Sequence, residues 1–143
     1  MPDEPVIRGY VLHAGKGAPS SSADVKASRR STGGSLTVME LAVDGGPPRH
    51  THAYEDESIY LLTGALQVEC GDDRFEAGPG SFIFMPRNLP HMFRTVGGPA
   101  TGLLIATPGG IDEYFADLHA ALDANADTAE IRRVQAAYGI TVS

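Results

Sequence analysis

The segment that decides the fold reads HTHAYEDESIYLLTG and occupies residues 50–64. His50 and His52 are two residues apart, so both imidazoles lie on the same face if this part of the chain is a β-strand. Glu57 follows across a polar turn and begins an apolar stretch, so a hairpin would bring its carboxylate back beside the two rings. The segment therefore predicts a cluster of metal-binding side chains on adjacent strands.

A third histidine, His91, begins another β-rich stretch directly after the turn-forming residues 86–90. With His50, His52 and Glu57 it could hold one divalent ion and leave positions open for water, substrate or dioxygen. A His-x-His pair alone is weak evidence for such a site, because surface histidines are common. The glycines and prolines around all four residues strengthen the prediction.

Short β-rich segments lie on both sides of these histidines, separated by turns rich in glycine and proline. Strands at this spacing, without helices between them, predict an all-β antiparallel sandwich or barrel. The segments occupy residues 35–43, 59–62, 65–70, 81–85, 92–96 and 101–106.

The pattern changes to a helical one near the C-terminus. Apolar residues at helical spacing predict a first helix from Ile111, and a second is expected over about 128–138, where Asp127 and Glu130 have capping-box spacing. The helices would cover an open end or edge of the sheet, or pack in a dimer. The whole chain, residues 1–143, is thus expected to form a single domain. Its parts are an N-terminal arm or loop (1–33, in which residues 23–28 could instead make a short strand), a barrel (about 34–108) and C-terminal helices (about 111–138).

Composition excludes several classes of function. The 18 acidic and 11 basic residues give a net charge of −7, which is unlike the basic footprint of nucleic-acid binding proteins and would be repelled by an anionic membrane. No apolar run approaches the ~18–20 residues that span a bilayer, and the acidic N-terminus is unlike a secretory signal. The lone Cys70 cannot form an internal disulfide, so a cytoplasmic location is expected.

The four candidate ligands lie in two motifs that resemble those of the cupin superfamily. The first motif of that family is His-x-His, three or four residues, Glu, six residues and Gly. His50, His52, Glu57 and Gly64 match this spacing.

The second cupin motif is Gly, five residues, Pro-x-Gly, two residues, His, three residues and Asn. Gly80, Pro86 and His91 match it. Asn88 replaces the turn glycine, and because Asn tolerates the left-handed conformation, we expect the turn to survive. Thr95 replaces the terminal Asn, which is not a ligand in the family pattern.

The resemblance implies a small cupin barrel, that is, a double-stranded β-helix or jelly roll with the metal inside, and frequent homodimers. One divalent ion is implied, and ligand type does not choose among Fe, Mn, Ni, Co, Cu and Zn. Glu57 is preferred to Glu55 as a ligand because only Glu57 is separated from Gly64 by six residues, and Glu55 and Asp56 are expected in a solvated turn. The implied metal ligands are His50, His52, Glu57 and His91.

The looser match, over most of the chain, is to small bacterial cupins similar to quercetin 2,3-dioxygenase. It implies a metal-dependent, dioxygenase-like oxidoreductase acting on a small aromatic or enolic, flavonol-like molecule, with Glu57 as general base. A cupin isomerase, cyclase or lyase without oxygen chemistry is a second possibility. A module that binds a small molecule without converting it is a third.

An apolar pocket next to the metal would suit such a substrate. Phe82 and Phe84 share a strand face, Phe93 shares the face of His91, and Ile59 shares the parity of Glu57. The residues predicted to bind substrate are Ile59, Phe82, Phe84, Phe93 and Met39, although ordinary barrel core is the simpler interpretation of any one of them. An N-terminal strand around residues 6–12 could pair across a homodimer interface.

Overall fold

The computed structural model describes residues 6–143, which form ten strands and two helices. In chain order they are β1 (Val25–Ala27), β2 (Thr37–Val43), β3 (His50–His52), β4 (Asp56–Thr63), β5 (Leu66–Cys70), β6 (Asp73–Ala77), β7 (Phe82–Met85), β8 (His91–Thr95), β9 (Ala100–Thr107), α1 (Ile111–Asp123), α2 (Thr128–Ala137) and β10 (Ile140–Val142).

The strands form two five-stranded antiparallel sheets, with orders β1-β2-β9-β4-β7 and β10-β3-β8-β5-β6. We name them the β4 sheet and the β3 sheet. Both contribute fully buried aliphatic side chains to one core, for example Ile59 and Leu61 from the first and Leu66 and Val68 from the second. Burying each such side chain stabilises the fold by about 1.5–3 kcal/mol. The predicted all-β architecture with two C-terminal helices is confirmed.

Alternation along β4 and β7 determines which side chains of the β4 sheet face the interior of the molecule. Glu57, Ile59 and Leu61 point into the molecule, whereas Tyr60 and Leu62 are exposed. Glu57 is in register with Met85 of β7 and with Ala106 of β9, and both partners are fully buried. A carboxylate is therefore held on the inner face of a sheet whose neighbours there are apolar.

Two turns place the histidine-bearing strands. Asn88 has φ 66°, so it takes the left-handed conformation of the glycine it replaces, as predicted. Gly46 precedes β3 and packs against the β8 backbone, where a Cβ would lie 1.8 Å from the carbonyl oxygen of Phe93. A side chain at residue 46 would therefore push the loop before β3 away from β8.

The C-terminal segment continues past the helices into the β3 sheet. The Asp127 side chain caps α2 by accepting a hydrogen bond from the Glu130 backbone N–H at 2.8 Å, as the capping-box spacing predicts. The strand β10 then pairs with β3 through Ile140↔His52, Thr141↔Thr51 and Val142↔His50. Neither β10 nor the polar β6 was predicted from the sequence.

At the N-terminus, β1 lies within the predicted short strand at 23–28 and pairs with β2. Residues 6–12 form no strand within this chain, and the apolar side chains of Val6, Ile7 and Val11 are exposed. Pairing of this segment across a homodimer interface stays a prediction. Neither helix in the described part of the chain is long and apolar enough to cross a bilayer.

Candidate metal centre

His50, His52, Glu57 and His91 converge in the interior, where one ligand atom from each lies within 4.8 Å of the others. The three histidines come from β3 and β8 of the β3 sheet, and Glu57 comes from β4 of the opposite sheet. His52, Glu57 and His91 are at most 3% exposed, and His50 is partly buried. The cluster therefore bridges the two sheets across the core.

The register of the β3 sheet brings the rings together. His50 and His91 are paired residues of β3 and β8, with ring centroids 4.5 Å apart. The rings of His52 and His91 are nearly parallel, with centroids 5.4 Å apart. From the other sheet, Glu57 places Oε2 at 3.0 Å from His52 Nε2 and Oε1 at 4.0 Å from His91 Nε2.

Each histidine is held through its Nδ1 atom. His50 Nδ1 lies 2.7 Å from the Pro48 carbonyl oxygen, and His91 Nδ1 lies 3.2 Å from that of Leu89. His52 Nδ1 lies 2.6 Å from a carboxylate oxygen of Glu55. Since these oxygens only accept hydrogen bonds, each Nδ1 is assigned as a protonated nitrogen, so Nε2 is the atom that carries the lone pair whenever the ring is neutral.

The free Nε2 atoms test whether a metal ion fits here. Within residues 6–143, the buried Nε2 atoms of His52 and His91 have no hydrogen-bond partner, because the short distance from His52 to Glu57 lacks hydrogen-bond geometry. Unpaired buried polar atoms are costly, and Nε2 lone pairs beside a carboxylate are the donors that divalent transition metals bind. The residues present therefore fit a divalent ion.

Burial and neighbouring charge shift the titration of the cluster. Burial lowers the pKa values of His50 and His91. Burial alone would lower the pKa of His52 as well, but the carboxylates of Glu55 and Glu57 outweigh it and raise that pKa to about 9. Burial opposes ionisation of Glu57, yet the histidines, His52 first, hold its pKa below the ordinary value. In the metal-free chain the stable form is thus a His52–Glu57 ion pair flanked by two neutral imidazoles.

The burial of Glu55 contradicts one prediction made from the sequence. It was expected in a solvated turn, but it is only 7% exposed, and its carboxylate accepts the His52 hydrogen bond. Its neighbour Asp56, expected in the same turn, is the first residue of β4, and its partly exposed carboxylate pairs with Arg87. The turn thus directs one of two adjacent carboxylates inward, which the spacing to Gly64 could not reveal.

A largely apolar cavity of about 280 Å³ opens beside the cluster. His50, His52 and Glu57 form its polar end. The β-sheets supply Leu41, Val43, Phe93 and Leu104, with Pro47 and Pro48 from the loop before β3; the C-terminal segment supplies Tyr114, Phe115, Leu118, Gln135, Ile140 and Val142.

Of the five residues predicted to bind substrate, the structure places only Phe93 on the wall of this cavity. Ile59 and Met39 are buried in the core and do not line it. Phe82 and Phe84 are 62% and 53% exposed, so the prediction that they line the pocket is wrong. They do share a face, but the pairing of β7 with β4 turns Ile83 and Met85 inward instead.

Several of the missed wall residues come from the helices. Tyr114 and Leu118 stand four residues apart on α1, and the apolar spacing that predicted this helix contained them. That spacing could not show that the helix covers the open side of the metal cluster. Ile140 and Val142 alternate after Gly139, which is a weak strand signal that was available in the sequence.

Comparison with known proteins agrees with this architecture. A family model described as "Cupin domain" matches residues 37–106. Quercetin 2,3-dioxygenase of Bacillus subtilis (strain 168) is 26% identical over 115 residues, which cover 76% of this chain but only 34% of that protein. The chain therefore spans about a third of the length of this relative.

Two solved structures are similar to this chain at low sequence identity. The structure of KdgF from Halomonas sp. matches with a TM-score of 0.55 and 20% identity, covering 62% of this chain and 79% of that one. A cupin-2 domain protein from Shewanella frigidimarina NCIMB 400 matches with a TM-score of 0.49 and 20% identity, covering 58% and 76%.

Proposed function

Because this chain belongs to the cupin superfamily and gathers three histidines and a glutamate beside an apolar cavity, we propose that it is a metal-dependent, dioxygenase-like oxygenase of small aromatic or enolic molecules. The observation that carries the proposal is the position of the cluster at the polar end of an otherwise apolar cavity. Such a site orients an apolar ligand so that one polar group faces the metal.

His50, His52, Glu57 and His91 are the residues that would hold the ion. When bound, a divalent transition metal supplies Lewis acidity and, for the redox-active ions, a route to dioxygen. Four protein ligands would leave an ion that accepts more than four donors able to bind a polar group of the substrate as well. The similarity to quercetin 2,3-dioxygenase favours oxygen chemistry over the other uses of this site.

The protein's own side chains would accept a proton from the substrate and hold its apolar part. The lowered pKa of Glu57 keeps it as a carboxylate, so it is able to accept the proton of a substrate hydroxyl at Oε1 or Oε2. Phe93, Phe115 and Leu118 offer apolar surface to a planar ligand and exclude water from the reacting end.

The volume of the cavity limits the size of the substrate. Ligand sites generally enclose ~300–1,000 Å³, so 280 Å³ is at the small end. We therefore propose a compact enolic or aromatic compound, with a three-ring flavonol as the upper limit. A homodimer and a cytoplasmic location are part of the same proposal, and with the net charge of −7 we propose neither nucleic acid nor membrane as a partner.

Oxygen consumption tests the proposal directly. The metal-free protein is loaded separately with Fe(II), Mn(II), Ni(II), Co(II), Cu(II) or Zn(II), and dioxygen uptake is recorded with quercetin and with a monocyclic enol. Metal-dependent uptake with product formation is expected, and His52→Ala should reduce metal content and uptake together.

The other outcomes separate the alternatives. Product without dioxygen consumption would indicate a cupin isomerase, cyclase or lyase. Stoichiometric ligand binding without product would indicate a binding module. Either result contradicts the oxygenase. Stoichiometric metal retained by His52→Ala would show that a different set of ligands holds the ion.

A further inference from the structure

Glu55 is a buried carboxylate that the proposed chemistry does not use. It is 7% exposed, and burying an ionised carboxylate is costly unless a partner stabilises it. Within residues 6–143, the hydrogen bond to its carboxylate comes from His52 Nδ1, at 2.6 Å. The turn that carries Glu55 therefore directs a charged group inward toward one ring nitrogen of one metal-binding histidine.

The three histidines differ in the group that accepts the hydrogen bond from Nδ1. His50 and His91 donate their Nδ1–H groups to backbone carbonyl oxygens, of Pro48 and Leu89. His52 alone donates to a carboxylate, and its hydrogen bond is the shortest of the three. A carboxylate partner fixes the tautomer and ring orientation and makes the opposite nitrogen a better donor to a metal, more strongly than a neutral carbonyl does.

The geometry points to Glu55 as a positioning residue: we propose that it orients His52 so that Nε2 faces Glu57 and His91, and that it strengthens the His52–metal bond. The inference rests on the proposed function only in requiring a divalent ion at this site, and it is independent of oxygen chemistry. Loss of such an outer carboxylate typically weakens metal binding by about 10–100-fold.

The test uses Co(II), whose visible spectrum reports the strength and geometry of its ligands, and three variants of the full chain. Glu55→Ala removes the hydrogen bond and the charge. Glu55→Gln keeps an amide oxygen that accepts from Nδ1 but removes the charge. Asp56→Asn is the matched control, because it removes the adjacent carboxylate, which pairs with Arg87 at the surface.

The pH-independent affinity for Co(II), obtained from chelator competition over a range of pH in the absence of substrate so that proton competition at His52 is separated out, should fall about 10–100-fold for Glu55→Ala. Glu55→Gln should lie between that variant and the original protein, with a shifted Co(II) absorption band, and Asp56→Asn should bind normally. Thermal unfolding of each metal-free protein shows which variants fold. If Glu55→Ala does not fold, the Co(II) affinity and spectrum of Glu55→Gln test the inference without it.

A Glu55→Gln protein that binds Co(II) within twofold of the original, with an unchanged spectrum, would overturn the inference. So would equal losses in Glu55→Gln and Asp56→Asn, since these would reflect only the removal of a negative charge. Original protein that binds no divalent ion would instead overturn the proposed function, so the two failures are distinguishable.

Discussion

Metal binding is expected to release about one proton per ion at pH 7, and that proton comes from His52. The pKa of His52 in the metal-free chain is about 9, because the Glu55 and Glu57 carboxylates outweigh the effect of burial. A group with that pKa is about 99% protonated at pH 7, and it must lose its proton before Nε2 binds a metal. The other ligands contribute little, because burial lowers the pKa values of His50 and His91, and the pKa of Glu57 is also low.

The same competition sets the pH dependence of affinity. With a pKa of about 9, protonation weakens binding about 100-fold at pH 7 and about 10-fold at pH 8. The apparent affinity should therefore rise about tenfold over that unit of pH, which is about 1.4 kcal/mol. An unshifted histidine, with a pKa near 6.5, would give almost no change over the same range.

Isothermal titration calorimetry measures the proton count. Co(II) is titrated into metal-free protein at pH 7 in PIPES, MOPS and HEPES, and the slope of observed enthalpy against buffer ionisation enthalpy gives the number of protons released. His13→Gln is the matched control, since His13 is exposed and lies outside the cluster, and it should leave the count at one. A count near zero with one Co(II) bound would refute the assigned charge state of the cluster.

Three further outcomes are expected. Because the pKa of His52 is raised on folding, its contribution to stability is complete below pH ~6.5 and is lost as pH rises through about 9. Chemical denaturation of the metal-free protein should therefore show that the free energy of unfolding falls by up to roughly 3 kcal/mol over that window. Bound metal should abolish this fall. Asn88→Ala should lower the free energy of unfolding by about 1 kcal/mol at φ 66°, whereas Asn88→Gly should be close to neutral, and a result with the opposite order would contradict the turn argument. Phe93→Ala should weaken binding of an aromatic ligand about tenfold in a fluorescence titration, whereas Phe84→Ala should not; equal losses would place both rings on the cavity.

Much of the fold and of the cluster follows from local pattern. The alternation of β4, the spacing of α1 and the Asp127 cap each depend on neighbours within a few residues. The four cluster residues were predicted from the sequence because the spacing within the two cupin motifs indicates which strands lie next to each other. Asn88 shows the same point, because a left-handed turn restricts the residue types that fit there.

The wrong predictions concern residues whose burial depends on contacts with distant parts of the chain or on the folded shape of a turn. Every residue of β7 is apolar, so alternation shows that Phe82 and Phe84 share a face but not which face is inside. The pairing of β7 with β4 decides that question, since Met85 lies opposite Glu57. Glu55 was missed for a related reason: a buried carboxylate needs a partner, and the partner's position is known only from the folded turn.

The C-terminal segment shows why the site and the cavity are linked in this chain. The short strand β3 carries His50 and His52, yet it pairs with β8 at a single residue pair, whereas β10 pairs with all three of its residues. The same β10 side chains, Ile140 and Val142, form part of the cavity wall. A change in the segment that shapes the cavity would therefore also shift the backbone that carries two metal ligands, so substrate fit and metal geometry are determined together.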